Sequence, residues 1–230
     1  MTSSTPAFKR SRPLLGTFFS IEVDDANSQS LVTQAFELAA SLESKLSPHL
    51  PILPASPERD ECLQIAGDLA RISEGAFDPY VGGRLDLGGI AKGFIVDQVV
   101  ELIQAGAPRI LGVVNAGGDL RFFNEANRRV SLRLGGGRMQ DFESPLDAVA
   151  SSSPDVSMTS EISTTRYHRP LRSGLSRETT VTAMAPTCAV ADALTKVGLF
   201  APPQVIEKTV RHCQARLLVF DPTLIEEYGF

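Results

Sequence analysis

Apolar positions along the chain alternate between two periods, and each change of period marks a new element. "LLGTFFSIEV", Leu14 to Val23, is rich in aromatic and β-branched residues and predicts a strand. From Ser28 to Leu46 the spacing becomes helical, with Leu31, Ala35, Leu38, Leu42 and Leu46 on one face and Pro48 after the end. Pro51, Pro54 and Pro57 make His49 to Pro57 a loop. Ser56 then reads as an N-cap with Pro57 at the first helical position. Leu63, Ala66, Leu69 and Ala70 carry that helix towards Gly75. A further helix starts near Ile90 and buries Phe94, Ile95, Val99, Leu102 and Ile103, with Gly106 suited to its C-terminal end.

The second half returns to short apolar runs. "RILGVVNAGGDLRFF", Arg109 to Phe123, reads as strand, glycine turn and strand, and "RRVSLRL" alternates as a strand with one wet face. Gly135 to Thr165 is polar and serine-rich except for "LDAVASS", a short strand, and is expected as a lid or a flexible loop. "TTVTAMA" predicts a strand, "TCAVADALTKVGLF" a helix, Gln204 to His212 another helix, and "ARLLVF" a last strand. Strands and helices mix without a strict βαβ period, which favours α+β over a doubly wound parallel sheet. There is no internal repeat or composition break, so residues 1–230 are expected to form one domain.

Composition narrows the function classes. A net charge of −5 and a pI near 5.3 argue against binding nucleic acid through bulk charge. The N-terminus has no continuous apolar run, and no segment is long and apolar enough to span a bilayer, so neither a secretory signal nor membrane insertion is expected. Cys62, Cys188 and Cys213 are odd in number and far apart, which reads as reduced thiols in a cytoplasmic protein.

The densest chemistry lies in "LDLGGIAKGFIVD", Leu85 to Asp97. Gly88 and Gly89 allow close backbone approach, and the helix that follows adds the partial positive charge of its N-terminus. Lys92 supplies a full cation suited to phosphate, and Asp86 an acceptor for a sugar hydroxyl, a ring N–H or a metal. A glycine turn with a solvated lysine and an aspartate cap explains the pattern equally well. "GAFDP", Gly75 to Pro79, aims Phe77 and Asp78 at one place, although an aromatic at that spacing is more often core. "NAGGD", Asn115 to Asp119, alone reads as a glycine-rich hairpin. In "ADALTKV", Asp192 shares a helical face with Thr195 and Lys196, so either a hard cation or an Asp192–Lys196 ion pair accounts for an acid in an apolar helix. His168, in "RYHRPLRSG", lies beside several arginines and taken alone reads as a surface residue.

Taken in order, "LLGTFFSI", "GAFDP", "DLGGIAKGFIVD", "NAGGD", a strand ending in "ASS", a histidine segment and "ADAL" resemble one family, the FAD:protein FMN transferases of the ApbE thiamine-biosynthesis lipoprotein family. The resemblance implies an α+β, T-fold-like domain with packed helices that holds FAD. It implies an Mg²⁺-dependent transfer of FMN onto a Ser or Thr hydroxyl of an acceptor flavoprotein, with release of AMP. By position, Leu15, Ala76, Phe77, Asp78, Asp86 and Lys92 are then implied as FAD contacts. The Gly89 carbonyl and the Asp192 carboxylate are implied as metal ligands, and His168 as the group that activates the acceptor hydroxyl.

The chain also departs from the family pattern. Lys196 stands four residues after Asp192, where the family usually has threonine, and Thr195 comes one residue early. Lys196 then either displaces the cation and does part of its electrostatic work, or the helix adjusts so that Thr195 ligates. "HRPLRSG" is shorter than the family's histidine segment, only seven residues separate Asp78 from Asp86, and the family's usual lipoprotein signal is not expected here. Two other functions fit the same motifs: a non-catalytic FAD-binding or delivery protein, and a pyrophosphatase giving FMN and AMP.

Overall fold

The structure, a computed structural model, describes residues 7–47, 49–50, 52–81, 83–125, 128–154, 171–221 and 223–229. The chain opens on a hairpin, β1 (Phe8–Leu14) against β2 (Thr17–Val23). Leu15 and Gly16 join the strands with φ of 57° and 69°, the two positive values that a two-residue hairpin turn needs. The expected strand over Leu14 to Val23 is therefore the turn and second arm of a hairpin. Its first arm, "FKRSRPL", was invisible to an apolar pattern because it is an exposed edge strand, where basic residues and Pro13 are tolerated and discourage further pairing.

Next come α1 (Gln29–Leu46) and α2 (Pro57–Ile72). The α1 stripe is Val32, Ala35, Phe36, Ala39, Leu42 and Leu46. Leu31 and Leu38 lie only half-buried on its flank, because the small residues at 35 and 39 let the helix approach closely along a neighbouring line. At α2, Ser56 accepts a 3.1 Å hydrogen bond from the Arg59 amide, and Pro57 occupies the first turn as expected. Two short strands, β3 (Tyr80–Val81) and β4 (Arg84–Leu85), lead into α3 (Ala91–Gly106).

The remaining elements are β5 (Gly112–Ala116), β6 (Asp119–Phe123), β7 (Arg129–Arg133), β8 (Met139–Glu143), β9 (Ala148–Ser152), β10 (Thr180–Ala185), α4 (Cys188–Phe200), α5 (Pro203–His212), β11 (Arg216–Phe220) and β12 (Leu224–Gly229). Residues 135–154, expected as loop apart from one strand, thus also contain β8; residues 155–165 of that segment lie outside the described residues. β8 and β12 escaped the apolar pattern because both are largely exposed. Eight strands form one antiparallel sheet in the order β1-β2-β5-β6-β9-β10-β11-β12, and β7 with β8 forms a separate hairpin. The fold is α+β, as its mixed pattern predicts.

Strand alternation divides the sheet between two cores. Phe19, Ile21, Val114, Ala116, Val181, Ala183, Leu217 and Val219 face the helices. On the other face, Phe122, Val149, Met184, Leu218 and Phe220 pack under Val130, Leu132 and Leu134 of the β7–β8 hairpin. The helix layer turns on α3 and α4, which are buried almost all round. They touch where Gly93 meets the start of α4: a Cβ at Gly93 would lie 2.3 Å from the Cys188 carbonyl oxygen.

That approach yields a stability prediction. Gly93→Ala must push α3 off α4 and should cost about 1–3 kcal/mol, the usual range for overpacking. Urea unfolding monitored by circular dichroism checks it. An unchanged midpoint would mean that the two backbones have room to spare.

Candidate active site

The site begins with how α4 is held. Asp97, on α3 and 5% exposed, accepts 2.8 Å hydrogen bonds from the amides of Cys188 and Ala189, the first residues of α4. The same carboxylate pairs at 2.9 Å with Arg121 of β6. One acid thus caps the positive end of α4 and ties three elements together. Burial pushes the Asp97 carboxyl up, with Arg121 and the two amides pulling the other way. Cys188 is fully buried there, and burial raises its thiol well above the usual range. Neither Asp97 nor Arg121 stood out in the sequence, where Asp97 was only the last letter of a motif and Arg121 one charge in a strand.

The glycine loop before α3 is shaped by its own side chains. Asp86 Oδ1 accepts the Gly88 amide at 2.8 Å, and the amides of Ile90 and Ala91 both reach the Leu87 carbonyl. Phe77 is 4% exposed and belongs to the main core, so the core reading of this aromatic holds; a Cβ on Gly89 would lie 3.2 Å from its ring. Ala76 packs half-buried against the same core. Asp78 is exposed and accepts the Tyr80 amide at 2.8 Å. Leu15, at the β1–β2 turn, donates its amide to Glu43 at 2.8 Å.

Four charges from distant parts of the chain meet beyond this loop. Lys92 pairs with Asp119, the fully buried aspartate that closes "NAGGD". Gly117 and Gly118, with φ of 67° and 107°, make the turn before it, and Asn115 Oδ1 accepts the Gly118 amide at 2.8 Å. Lys196 pairs with Asp192, which is 1% exposed. Asp119 raises the Lys92 ammonium above the usual lysine range, with Asp192 adding to it against the opposing cost of burial. Burial pushes Asp119 up, Lys92 opposes this, and Asp192 adds to it. Lys92 and Asp192 therefore belong to one electrostatic cluster.

Lys196 is the most heavily engaged of the four. Besides the Asp192 carboxylate, its Nζ donates at 3.2 Å to the Asp192 carbonyl and at 3.2 Å to the Ser152 hydroxyl. Thr195 points its hydroxyl at the Asp192 carbonyl, 2.6 Å away, and shares a 2.8 Å hydrogen bond with Ser152. A Cβ on Gly89 would lie 3.7 Å from the Lys196 side chain, so that side chain runs between Gly89 and Asp192. Asp192 Oδ2 is buried without a hydrogen-bond partner among the described residues. Asp119 and Ser152 are the site residues that sequence reasoning left unassigned. The signal for both was their place at the end of a motif, "NAGGD" and "ASS".

These groups border a cleft of about 820 Å³ between the main sheet and the β7–β8 hairpin. Lys92, Lys196, Gly88, Gly118 and Ser152 line it, with Leu120 and Phe122 on the sheet side. Its described lining does not include Leu15, at the β1–β2 turn, or Ala76, Phe77, Asp78 and Asp86, which lie in and before the glycine loop. His168 lies outside the described residues.

A model of the ApbE family matches residues 82–219. The chain belongs to the ApbE family. No curated protein matches it in a sequence search. Among solved structures, the flavin transferase ApbE of Vibrio cholerae is similar at 19% identity and a TM-score of 0.71, with 96% of each chain covered. The ApbE protein of Thermotoga maritima matches at 19% identity and a TM-score of 0.69, over 92% of this chain and 93% of that one. The apo flavinyl transferase ApbE of Pseudomonas stutzeri matches at 15% identity and a TM-score of 0.67, over 96% and 94%. At such identities the structural likeness establishes the fold.

Two outcomes follow from the geometry of this ApbE-family site. Asp97→Ala leaves Arg121 and two helix amides without their acceptor and should cost about 3–5 kcal/mol, as breaking a buried pair does; chemical denaturation reads it. The raised Lys92 contributes stability that is fully present below the unfolded lysine value, near 10.4, and is lost as pH rises through the folded value. Ligand affinity at the cleft should therefore show no titration of Lys92 below about pH 10. A loss centred near pH 8 would mean that Asp119 does not hold the Lys92 proton.

Proposed function

We propose that this ApbE-family chain is an FAD:protein FMN transferase. Its substrates are FAD and a Ser or Thr hydroxyl on an acceptor flavoprotein, and its second product is AMP. The observation that carries this reading is the convergence of Lys92 and Lys196, from two helices far apart in sequence, on one cleft beside the glycine loop. A nucleotide diphosphate is the ligand whose charge and length suit two fixed cations and flexible glycine backbone. Family membership and the flavin transferase names of similar structures support the flavin in particular.

In the proposed reaction the acceptor oxygen attacks the FMN-side phosphorus. A new P–O bond forms as the bridging P–O bond of the diphosphate breaks. The bridging oxygen leaves with AMP, and the hydroxyl proton passes to a base, for which His168 is the sequence candidate. Lys92 meets the diphosphate charge and holds it in place, with Asp119 fixing its position. We assign Phe77 and Ala76 to supporting the glycine loop from the core side, and Asp86 to shaping it through the Gly88 amide. Leu15 and Asp78 are proposed FAD contacts by position alone. Residues 1–230 are read as one domain, because the helix-side core alone draws on residues from β2 to β11. Three free cysteines, two of them buried, favour a reducing, cytoplasmic setting. No described helix is long and apolar enough to cross a membrane.

Mg²⁺ is the cation that the family resemblance implies, with Gly89, Asp192 and Thr195 as its expected neighbours. When bound, such an ion neutralises diphosphate charge. The residues present do not fit it. The Asp192 carboxylate is paired through Oδ1 with Lys196, so the pair offers a dication no net charge even though Oδ2 has no hydrogen-bond partner among the described residues, and the Thr195 hydroxyl is turned to donate to the Asp192 carbonyl. Among the described residues no group of three or more His, Cys, Asp or Glu side chains could hold a metal.

The test is to incubate the full chain with FAD and a flavoprotein bearing an acceptor Ser or Thr. A covalent flavin band on a denaturing gel, with one AMP released per flavin attached, is expected. FAD uptake without AMP would indicate a binding or delivery protein, and free FMN a pyrophosphatase. Lys92→Met should weaken FAD binding by about ten- to a hundredfold, the value of a charge-assisted hydrogen bond.

A further inference from the structure

Lys196 stands where the flavin-transfer reading would put a metal ion, and it is built into that place. Its ammonium is surrounded by three oxygens: Asp192 Oδ1, the Asp192 carbonyl and Ser152 Oγ. Its stem passes Gly89, so its path lies between the two residues expected to clasp a cation. Its side chain is 12% exposed, and that remaining surface faces the cleft. Such an arrangement differs from a surface ion pair, which is exposed and has few fixed partners. It is a held, desolvated charge beside the place of the ligand.

From this we infer that Lys196 is a substitute for the divalent cation and that the cleft binds its diphosphate without metal. The inference rests on the flavin reading and adds to it which charges meet the phosphates. Three features on the page support it together. Asp192 needs a positive neighbour because it is buried on an otherwise apolar helix, and Lys196 supplies it one turn later. Thr195 and Ser152 are hydrogen-bonded to one another, and the Ser152 oxygen already accepts from the Lys196 ammonium. Lys92, from the facing helix, provides the second positive group of the cleft.

The substitution has an electrostatic consequence. Lys92, Asp119, Asp192 and Lys196 sum to zero, whereas a dication in place of the Lys196 ammonium would leave one net positive charge. The cluster therefore carries no net charge when empty, although Asp192 Oδ2 has no hydrogen-bond partner among the described residues, and it holds a diphosphate through directed N–H donors rather than through excess charge.

The deciding measurement is FAD binding by the full chain, followed by flavin fluorescence in EDTA and in excess Mg²⁺, with Mn²⁺ titrated into the FAD-loaded protein under electron paramagnetic resonance. Equal FAD affinity in both solutions and no tightly bound Mn²⁺ are expected. Lys196→Thr, which puts a hydroxyl four residues after Asp192, should lose about ten- to a hundredfold in FAD affinity in EDTA, regain it with Mg²⁺ and acquire a Mn²⁺ site. Wild-type binding that collapses in EDTA and returns with Mg²⁺ would overturn the inference, as would stoichiometric Mn²⁺ on the wild type. Should Lys196→Thr not fold, the two wild-type arms decide alone. Metal-independent FAD binding with no covalent transfer would refute only the transferase reading. Failure to bind FAD under either condition would remove both.

Discussion

Everything at the cleft depends on one carboxylate that does not line it. Asp97 receives the first two amides of α4 and the Arg121 guanidinium, so α3, α4 and β6 can meet in only one way. Lys92 is five residues before Asp97 on α3, and Asp192 and Lys196 follow within three turns of the α4 start. Fixing the helix start to a neighbouring helix thus fixes the separation of the two lysines. Gly93 completes the arrangement by letting the backbones touch. The price of so close a contact is that it leaves no room for a side chain there.

The charges are arranged by the same economy. Each lysine at the cleft is matched by a nearly inaccessible aspartate, and Asp192 is close enough to add to the cost of ionising Asp119. Buried acids are tolerated only with partners, and here the partners are also the groups that face the ligand. Stability and recognition are served by the same four side chains. A change in one therefore alters both.

Much of the architecture could be read from the chain because apolar periodicity reports burial. The five described helices, β2, β5, β6, β9, β10 and β11 bury one or both faces, and apolar periodicity anticipates each in place. β1, β8 and β12 were not, because exposed strands obey pairing rather than patterning. At the cleft, Lys92 and Asp192 were legible as charges that apolar or glycine-rich surroundings must explain. The alternatives at Asp192 turned on whether Lys196 or a cation paired with it, a question of side-chain direction that spacing leaves open. Ser152 and Asp119 needed the fold, since only the sheet places β6 and β9 side by side against α4.

The order of strands in the main sheet has its own consequence. Read across, β1-β2-β5-β6-β9-β10-β11-β12 never runs backwards along the chain. Each strand joins an edge that earlier residues have already built, and no later segment must be threaded between two finished ones. A ribosome delivering this polypeptide from its N-terminus could see the sheet widen strand by strand as it emerged, with α4 able to dock only after β10 has left the exit tunnel. The cleft is then among the last features to be completed during synthesis.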